Sequence, residues 1–224
     1  MESQPELSPF LDNSLDIEVK LGAYLPHWNQ DGKIQFITFR LADSLPKEKI
    51  SELENVKKSF KAIHPEPWSS EIMRLYGNLT GPIESRLLDN GYGECLLRRP
   101  EVRKIVSDIL FFKDGKEYDI IAFVIMPNHI HLLIWLMPGI DLDNVMQSIK
   151  GYSAFAINKA LARKGRVWMK ESFDRIVRSG PHLGHCINYI QQNPKFLPPD
   201  KYDLYLRHLP PDIFKNNSEQ GADA

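Results

Sequence analysis

The feature that most constrains the fold is a pair of apolar segments, 118–125 and 130–136, separated only by the short connection through Met126-Pro127-Asn128. Both read as strands, and so tight a link makes them antiparallel neighbours. Residues 34–41, Ile-Gln-Phe-Ile-Thr-Phe-Arg-Leu, add a β-branched and aromatic strand buried on both faces. Around these strands lie helical patterns. Asp43-Ser44-Leu45-Pro46 opens a helix to about residue 63, with Ser44 as N-cap and Pro46 near the first turn. Residues 62–68 break it, and 69–91 read as one or two helical segments interrupted at Gly77 and Gly81-Pro82. A helix over 101–112 carries the stripe Val102, Ile105, Ile109, Leu110. Asp141 can cap a further helix to about residue 163; 173–177 is a short strand; a last helix spans about 181–193 and stops at Pro194. The order strand, helices, two strands, helix, strand, helix predicts an α+β sandwich: one mostly antiparallel central sheet flanked by helices.

A chain of 224 residues, 42% hydrophobic and 25% charged, suits one sizeable core of an ordinary soluble protein. It divides into an acidic N-terminal arm (1–31), a single domain (32–198) with a helical insertion at 64–95, and a Pro-rich C-terminal tail (199–224) expected to be partly disordered. The apolar runs are too short to span a bilayer, and no basic-then-apolar leader opens the chain. Two cysteines, Cys95 and Cys186, form no disulfide framework and fit a reducing cytosol. The net charge of −1 conceals a division. Residues 145–195 hold nine Lys or Arg against two acids, a net of +7, which leaves −8 on the rest of the chain. Such a basic segment suits a polyanion site, or a solvated helix face with no ligand.

His129 and His131 lie two apart on a strand, so both imidazoles share one face. They can share a divalent ion, or serve as ordinary half-buried histidines hydrogen-bonded to neighbours. On the last helix, Leu183, Cys186, Ile187 and Ile190 form the core stripe, while His185, Tyr189 and Asn193 lie on another face. If that face meets the histidines, two imidazoles and the Asn193 amide oxygen would make a set suited to Mg²⁺ or Mn²⁺ with a phosphodiester. Pro194, however, disfavours helical geometry at Asn193.

Several stretches in order carry a resemblance: Met126-Pro127-Asn128-His129-Ile130-His131-Leu132-Leu133; Met146 to Lys150-Gly151-Tyr152; Trp168 with Phe173-Asp174-Arg175; and Tyr189-Ile190-x-x-Asn193-Pro194-Lys195. Together with Leu25-Pro26-His27-Trp28 and residues 36–46, they resemble the REP-associated tyrosine transposases, IS200-like members of the single-tyrosine His-hydrophobic-His (HUH) group. The resemblance spans most of 25–198, although 64–95 is longer than the minimal family core needs. It implies an HUH, ferredoxin-like fold in a bacterial, cytoplasmic and nucleoid-associated protein. The implied activity is a metal-dependent single-stranded DNA endonuclease and strand transferase acting on hairpin-bearing repeats. It further implies His129, His131 and Asn193 as ligands of Mg²⁺ or Mn²⁺, and Tyr189 as the nucleophile that forms a 5′-phosphotyrosine. The partner is single-stranded or hairpin DNA, bound by a monomer or a homodimer.

Lys150, Arg175, Arg178 and Lys195 are the candidate DNA contacts. Trp168 and Phe173 could stack on bases or fill the core. Tyr152 is a rival nucleophile whose stripe with Val145, Ile149 and Ala156 points instead to packing. His185, one turn from Tyr189, could act as its base or contact DNA. Two other functions stay open: a domesticated hairpin-binding protein without strand transfer, and a hydrolytic phosphodiesterase that uses water at a His-x-His site.

Overall fold

The computed structural model describes residues 8–12, 18–21, 26–65 and 68–214. A two-stranded hairpin, β1 (Glu18–Leu21) and β2 (Pro26–Asn29), precedes the main sheet. That sheet consists of β3 (Ile34–Arg40), β4 (Tyr118–Ile125), β5 (His129–Leu136), β6 (Phe173–Ile176) and β7 (Asp203–Leu206). The spatial order is β6-β3-β5-β4-β7, with every neighbouring pair antiparallel. Between the strands run α1 (Lys47–Ile63), α2 (Ser70–Asp89), α3 (Pro100–Lys113), α4 (Leu142–Ala160) and α5 (Gly180–Gln192). Four strands with their intervening helices follow the β-α-β-β-α-β course of ferredoxin-like folds, and β7 is added at one edge. Among the described residues no helix is long and apolar enough to cross a membrane.

Period-2 alternation sorts the sheet into two apolar faces. Ile37, Phe39, Ile130, Leu132 and Ile134 point to one face, where α3 contributes Val102, Val106 and Leu110 and α4 contributes Val145, Ile149 and Ile157. Phe36, Val124 and Leu133 point to the other, covered by Leu183, Cys186 and Ile190 of α5. Phe10 is buried on this second face, where Pro9 and Leu11 hydrogen-bond the backbones of Ile34 and Val177. Because α5 is short, part of this face stays open beside it, next to the start of β5.

Several local expectations need correction. Ser44 does not cap α1: the helix starts after Pro46, and the Ser44 hydroxyl donates to the Leu41 carbonyl at 2.8 Å while accepting from Arg40 Nη1 at 3.1 Å. The hydroxyl closes the turn out of β3, too early in the chain to cap the helix. α2 is one continuous helix through Gly77, Gly81 and Pro82. An interior proline costs a helix about 3 kcal/mol, and tertiary packing outweighs it here. Tyr76 of α2, Phe60 of α1 and Trp68 between them form a small aromatic cluster, with ring centroids 4.9–5.5 Å apart. Residues 203–206, expected in the tail, pair with β4 as an edge strand. The segment expected to be disordered, beyond residue 216, lies outside the described residues, as does most of the 1–31 arm.

Candidate active site

β5 opens with His129, directly after the Met126-Pro127-Asn128 turn, and its first inward residues on the α5 side are His129 and His131. Their rings lie 4.8 Å apart, and both side chains are buried. Each is held at Nδ1. Asn128 Oδ1 lies 2.8 Å from His129 Nδ1, and Thr38 Oγ1 lies 2.8 Å from His131 Nδ1 across the β3–β5 register. Asn128 is fixed in turn, since its amide nitrogen donates to the carbonyls of Leu88 and Tyr92 at 3.1 and 3.3 Å. Phe36 stacks on the His131 ring at 5.7 Å.

α5 presents Tyr189 to this pair. Its ring centroid is 5.0 Å from that of His131, and its Oη is 3.4 Å from His131 Nε2. The phenol is also hydrogen-bonded to Ser85 Oγ of α2 at 2.7 Å. Tyr189 stays 36% exposed and forms a wall of two clefts, of about 770 and 650 Å³. The first is shared with His129, Asn193 and Lys195, the second with His131, Thr38 and Arg175. Pro194 does not unwind its neighbour: Asn193 keeps right-handed helical geometry at φ −57°, ψ −45°.

Burial sets the protonation of the site. It drives His129 down to about 3 and holds His131 well below the ordinary imidazole range, so both rings are neutral at pH 7. Burial pushes the Tyr189 phenol up; the Ser85 hydrogen bond opposes that, Asp89 adds to it, and Arg175 and Asn193 lower it. Two polar atoms here are buried without a partner, His129 Nε2 and Asn193 Oδ1. Orphaned buried acceptors are costly, and a cation between such atoms relieves them. Neutral imidazole nitrogen and amide oxygen are suitable donors. Among the described residues no three His, Cys, Asp or Glu cluster as a metal site, so a third ligand beside the histidines would be of another kind, as Asn193 is. The donor set thus fits a divalent ion held by His129, His131 and Asn193.

Part of the chain is similar to known proteins. Residues 97–193, from just before α3 to the end of α5, match the family model described as "Transposase IS200 like". This stretch resembles an IS200-like transposase domain. It contains His129, His131, Tyr189 and Asn193. No curated protein matches the chain. Among solved structures, the chain is similar to a REP-associated tyrosine transposase bound to a REP hairpin, at 16% identity, covering 79% of this chain and 74% of that one, with a TM-score of 0.42. It is also similar to a Deinococcus radiodurans protein described as a candidate transposase, at 13% identity, 78% and 96% coverage and a TM-score of 0.31.

The fold brings only some of the expected residues to the cleft. Arg175 is there, its guanidinium 5.2 Å from the Phe36 ring centre, and Arg178 and His185 line the adjoining hollow. Lys195 sits at the other end, beside Asn193. Lys150 is engaged elsewhere: its ammonium donates to the carbonyls of Met169 and Lys170 at 3.2 and 3.0 Å and straps that segment to α4. Trp168 is a core residue, with its indole donating to buried Ser153. Tyr152 does not pack as its spacing implied. It is 66% exposed, because the buried face of α4 runs from Val145 and Ile149 on to Ser153 and Ile157, and leaves Tyr152 to the side. α4 lies across the sheet from Tyr189, so the rival tyrosine does not reach the histidine pair.

Sequence reasoning missed Asn128, Thr38, Ser85 and Asp89. Thr38 was recoverable, since it alternates with Phe36 and Arg40 on β3, and Asn128 adjoins the first histidine. Ser85 and Asp89 carried no signal, because α2 is brought over the site only by tertiary packing.

Proposed function

We propose that the protein is a metal-dependent single-stranded DNA endonuclease and strand transferase, acting on hairpin-bearing repeats through a covalent 5′-phosphotyrosine. The observation that carries this reading is Tyr189 Oη at 3.4 Å from His131 Nε2, beside the orphaned Nε2 of His129. A divalent ion on His129, His131 and Asn193 would polarise the scissile phosphate and stabilise the charge on the departing oxygen. Tyr189 supplies the nucleophile. Its oxygen forms a bond to phosphorus, the bond from phosphorus to the 3′-oxygen breaks, and the leaving strand takes up a proton as a free 3′-hydroxyl. The phosphodiester is conserved on the tyrosine, so rejoining to another 3′-hydroxyl needs no ATP. Ser85 holds the phenol against the histidines from the α2 side. The exposed edge of Tyr189 lets a strand approach.

The test uses hairpin oligonucleotides with single-stranded flanks, labelled at either end and run on denaturing gels with and without Mn²⁺. The expected result is a metal-dependent protein–DNA adduct that retains the 3′-labelled fragment and is lost in Tyr189→Phe. Cleavage without an adduct would establish a hydrolytic phosphodiesterase instead. Binding without cleavage would make the protein a hairpin binder.

A further inference from the structure

The cleft at Tyr189 does not end at the tyrosine. It continues into a hollow of about 460 Å³ between α2, β6 and the start of α5; the two share Gly77, Asn78, Phe173 and Arg175 in their walls. Three guanidinium groups line this extension: Arg74 from α2, Arg175 from β6 and Arg178 just beyond it. They lie close enough that Arg175 and Arg74 both lower the Arg178 pKa, after burial. None of the three pairs with a carboxylate among the described residues. Asp174, the acidic residue of the lining, also offsets Lys150. Three like charges gathered in one concavity store repulsion that an anion would relieve. The wall is not all charge, since Phe173 stands half-buried beside them.

We propose that this hollow binds a nucleotide of the single DNA strand flanking the scissile phosphate. Arg74, Arg175 and Arg178 take phosphate oxygens, and Phe173 offers a stacking face to the base. α2, which lies outside the stretch that matches the transposase family model, thereby becomes one wall of the strand-binding groove. The inference rests on the reading of Tyr189 as a nucleophile toward single-stranded DNA. The hollow admits a single strand rather than a duplex because α2 stands across it: Ser85 bonds Tyr189, and Arg40 reaches Glu84 at 3.7 Å. A base stacks on an aromatic face with little regard to sequence, and arginines track the backbone.

The test is fluorescence anisotropy of the full chain with a labelled oligo-dT strand of about twelve nucleotides, a length within usual single-strand site sizes. It is repeated over a salt series and with a duplex of equal length. Arg74→Ala should weaken strand binding about tenfold at low salt and reduce the salt slope by about 0.7, the value for one phosphate of a single strand left without its cation. Arg74→Lys should restore the slope, and Phe173→Leu should weaken binding without changing it. Lys104→Ala, which removes an exposed cation on α3, should do neither. Equal slopes for wild type and Arg74→Ala, or an equal loss on duplex, would overturn the proposal. The adduct gel separates the two readings. An adduct with unchanged slopes removes the groove and leaves the nuclease; a lowered slope without an adduct removes the nuclease and leaves the groove.

Discussion

Asn128 and His129 form a hydrogen bond of 2.8 Å from side chain to ring, and the Asn128 amide is locked by the carbonyls of Leu88 and Tyr92. The amide nitrogen is committed as donor to those carbonyls, so Oδ1 must accept from His129. The His129 proton is therefore on Nδ1, and the lone pair is on the orphaned Nε2. One asparagine thus sets the tautomer of a candidate metal ligand and ties the end of α2 to the start of β5.

Asn128→Ala should lose both roles. Mn²⁺ affinity is expected to fall about 10- to 100-fold, as for other losses of a ligand's orienting partner. Stability should fall by about 1–3 kcal/mol, because the buried hydrogen bonds from Asn128 to the Leu88 and Tyr92 carbonyls are lost. Mn²⁺ titration by calorimetry on the folded variant, together with urea unfolding, measures each. An unchanged metal affinity would show that the tautomer is set by something else.

Acid should destabilise the fold through its buried histidines. Free imidazole titrates near 6.5, whereas burial holds His129 at about 3 and His131 well below its usual range. Above about pH 6.5 both states are neutral, and the full stability is present. Below it the unfolded chain takes up protons that the native state refuses, so stability falls as pH drops toward the folded values. The slope approaches roughly 1.4 kcal/mol per pH unit for each histidine. The urea midpoint should be lower at pH 5 than at pH 7, with the difference reduced in a His129→Gln/His131→Gln double variant. A double variant with the full wild-type pH response would contradict this assignment.

Arg103 fastens the C-terminal edge strand. The residue is 4% exposed, and its guanidinium donates to Asp203 Oδ1 at 2.8 Å and to the carbonyls of Leu97, Arg98 and Asp200 at 2.9–3.1 Å. Removing it strands these acceptors, and truncating one partner of a buried ion pair costs about 3–5 kcal/mol. Asp203 is the more exposed partner, which puts Arg103→Ala near the lower end. Hydrogen exchange should show faster exchange of β7 amides than of β5 amides. Uniform loss of protection across the sheet would mean that β7 is not separately held.

Gly93→Ala tests the turn that leads from α2 back to the core. Gly93 has φ +86°, and a Cβ there would stand 2.5 Å from the Asp43 carbonyl oxygen. Left-handed backbone alone costs a non-glycine residue about 1–3 kcal/mol, and the clash is with backbone rather than a movable side chain. The variant should unfold at a urea concentration lower by at least that equivalent. Gly115→Ala, with open space around its Cβ, should lose only the conformational part. Equal losses at the two positions would show that contact with Asp43 adds nothing.

The sequence by itself determined the hairpin of β4 and β5, the burial of both strands and the shared face of His129 and His131. These follow from periodicity and a turn three residues long, which are local properties. It also placed Tyr189 off the core stripe of α5, because helical spacing separates Leu183, Cys186 and Ile190 from it. Only the tertiary structure decided what those faces meet. β3 pairs with β5 so that Thr38 stands opposite His131, across 93 positions of chain, and the register that does so is fixed by the whole sheet. α2 crosses the open part of the α5 face and brings Ser85 to Tyr189 over 104 positions. Its local signals, Gly77, Gly81 and Pro82, argued for a broken helix, while the aromatic packing of Tyr76 on Phe60 and Trp68 sustained a continuous one. Tyr152 and Lys150 show the same limit. The buried face of α4 turns to Ser153 and Ile157 past Ile149 and leaves the first outside, and a carbonyl-lined strap that no spacing reveals took up the second. Contacts between distant segments depend on how whole faces are covered, and that is a property of the packed chain.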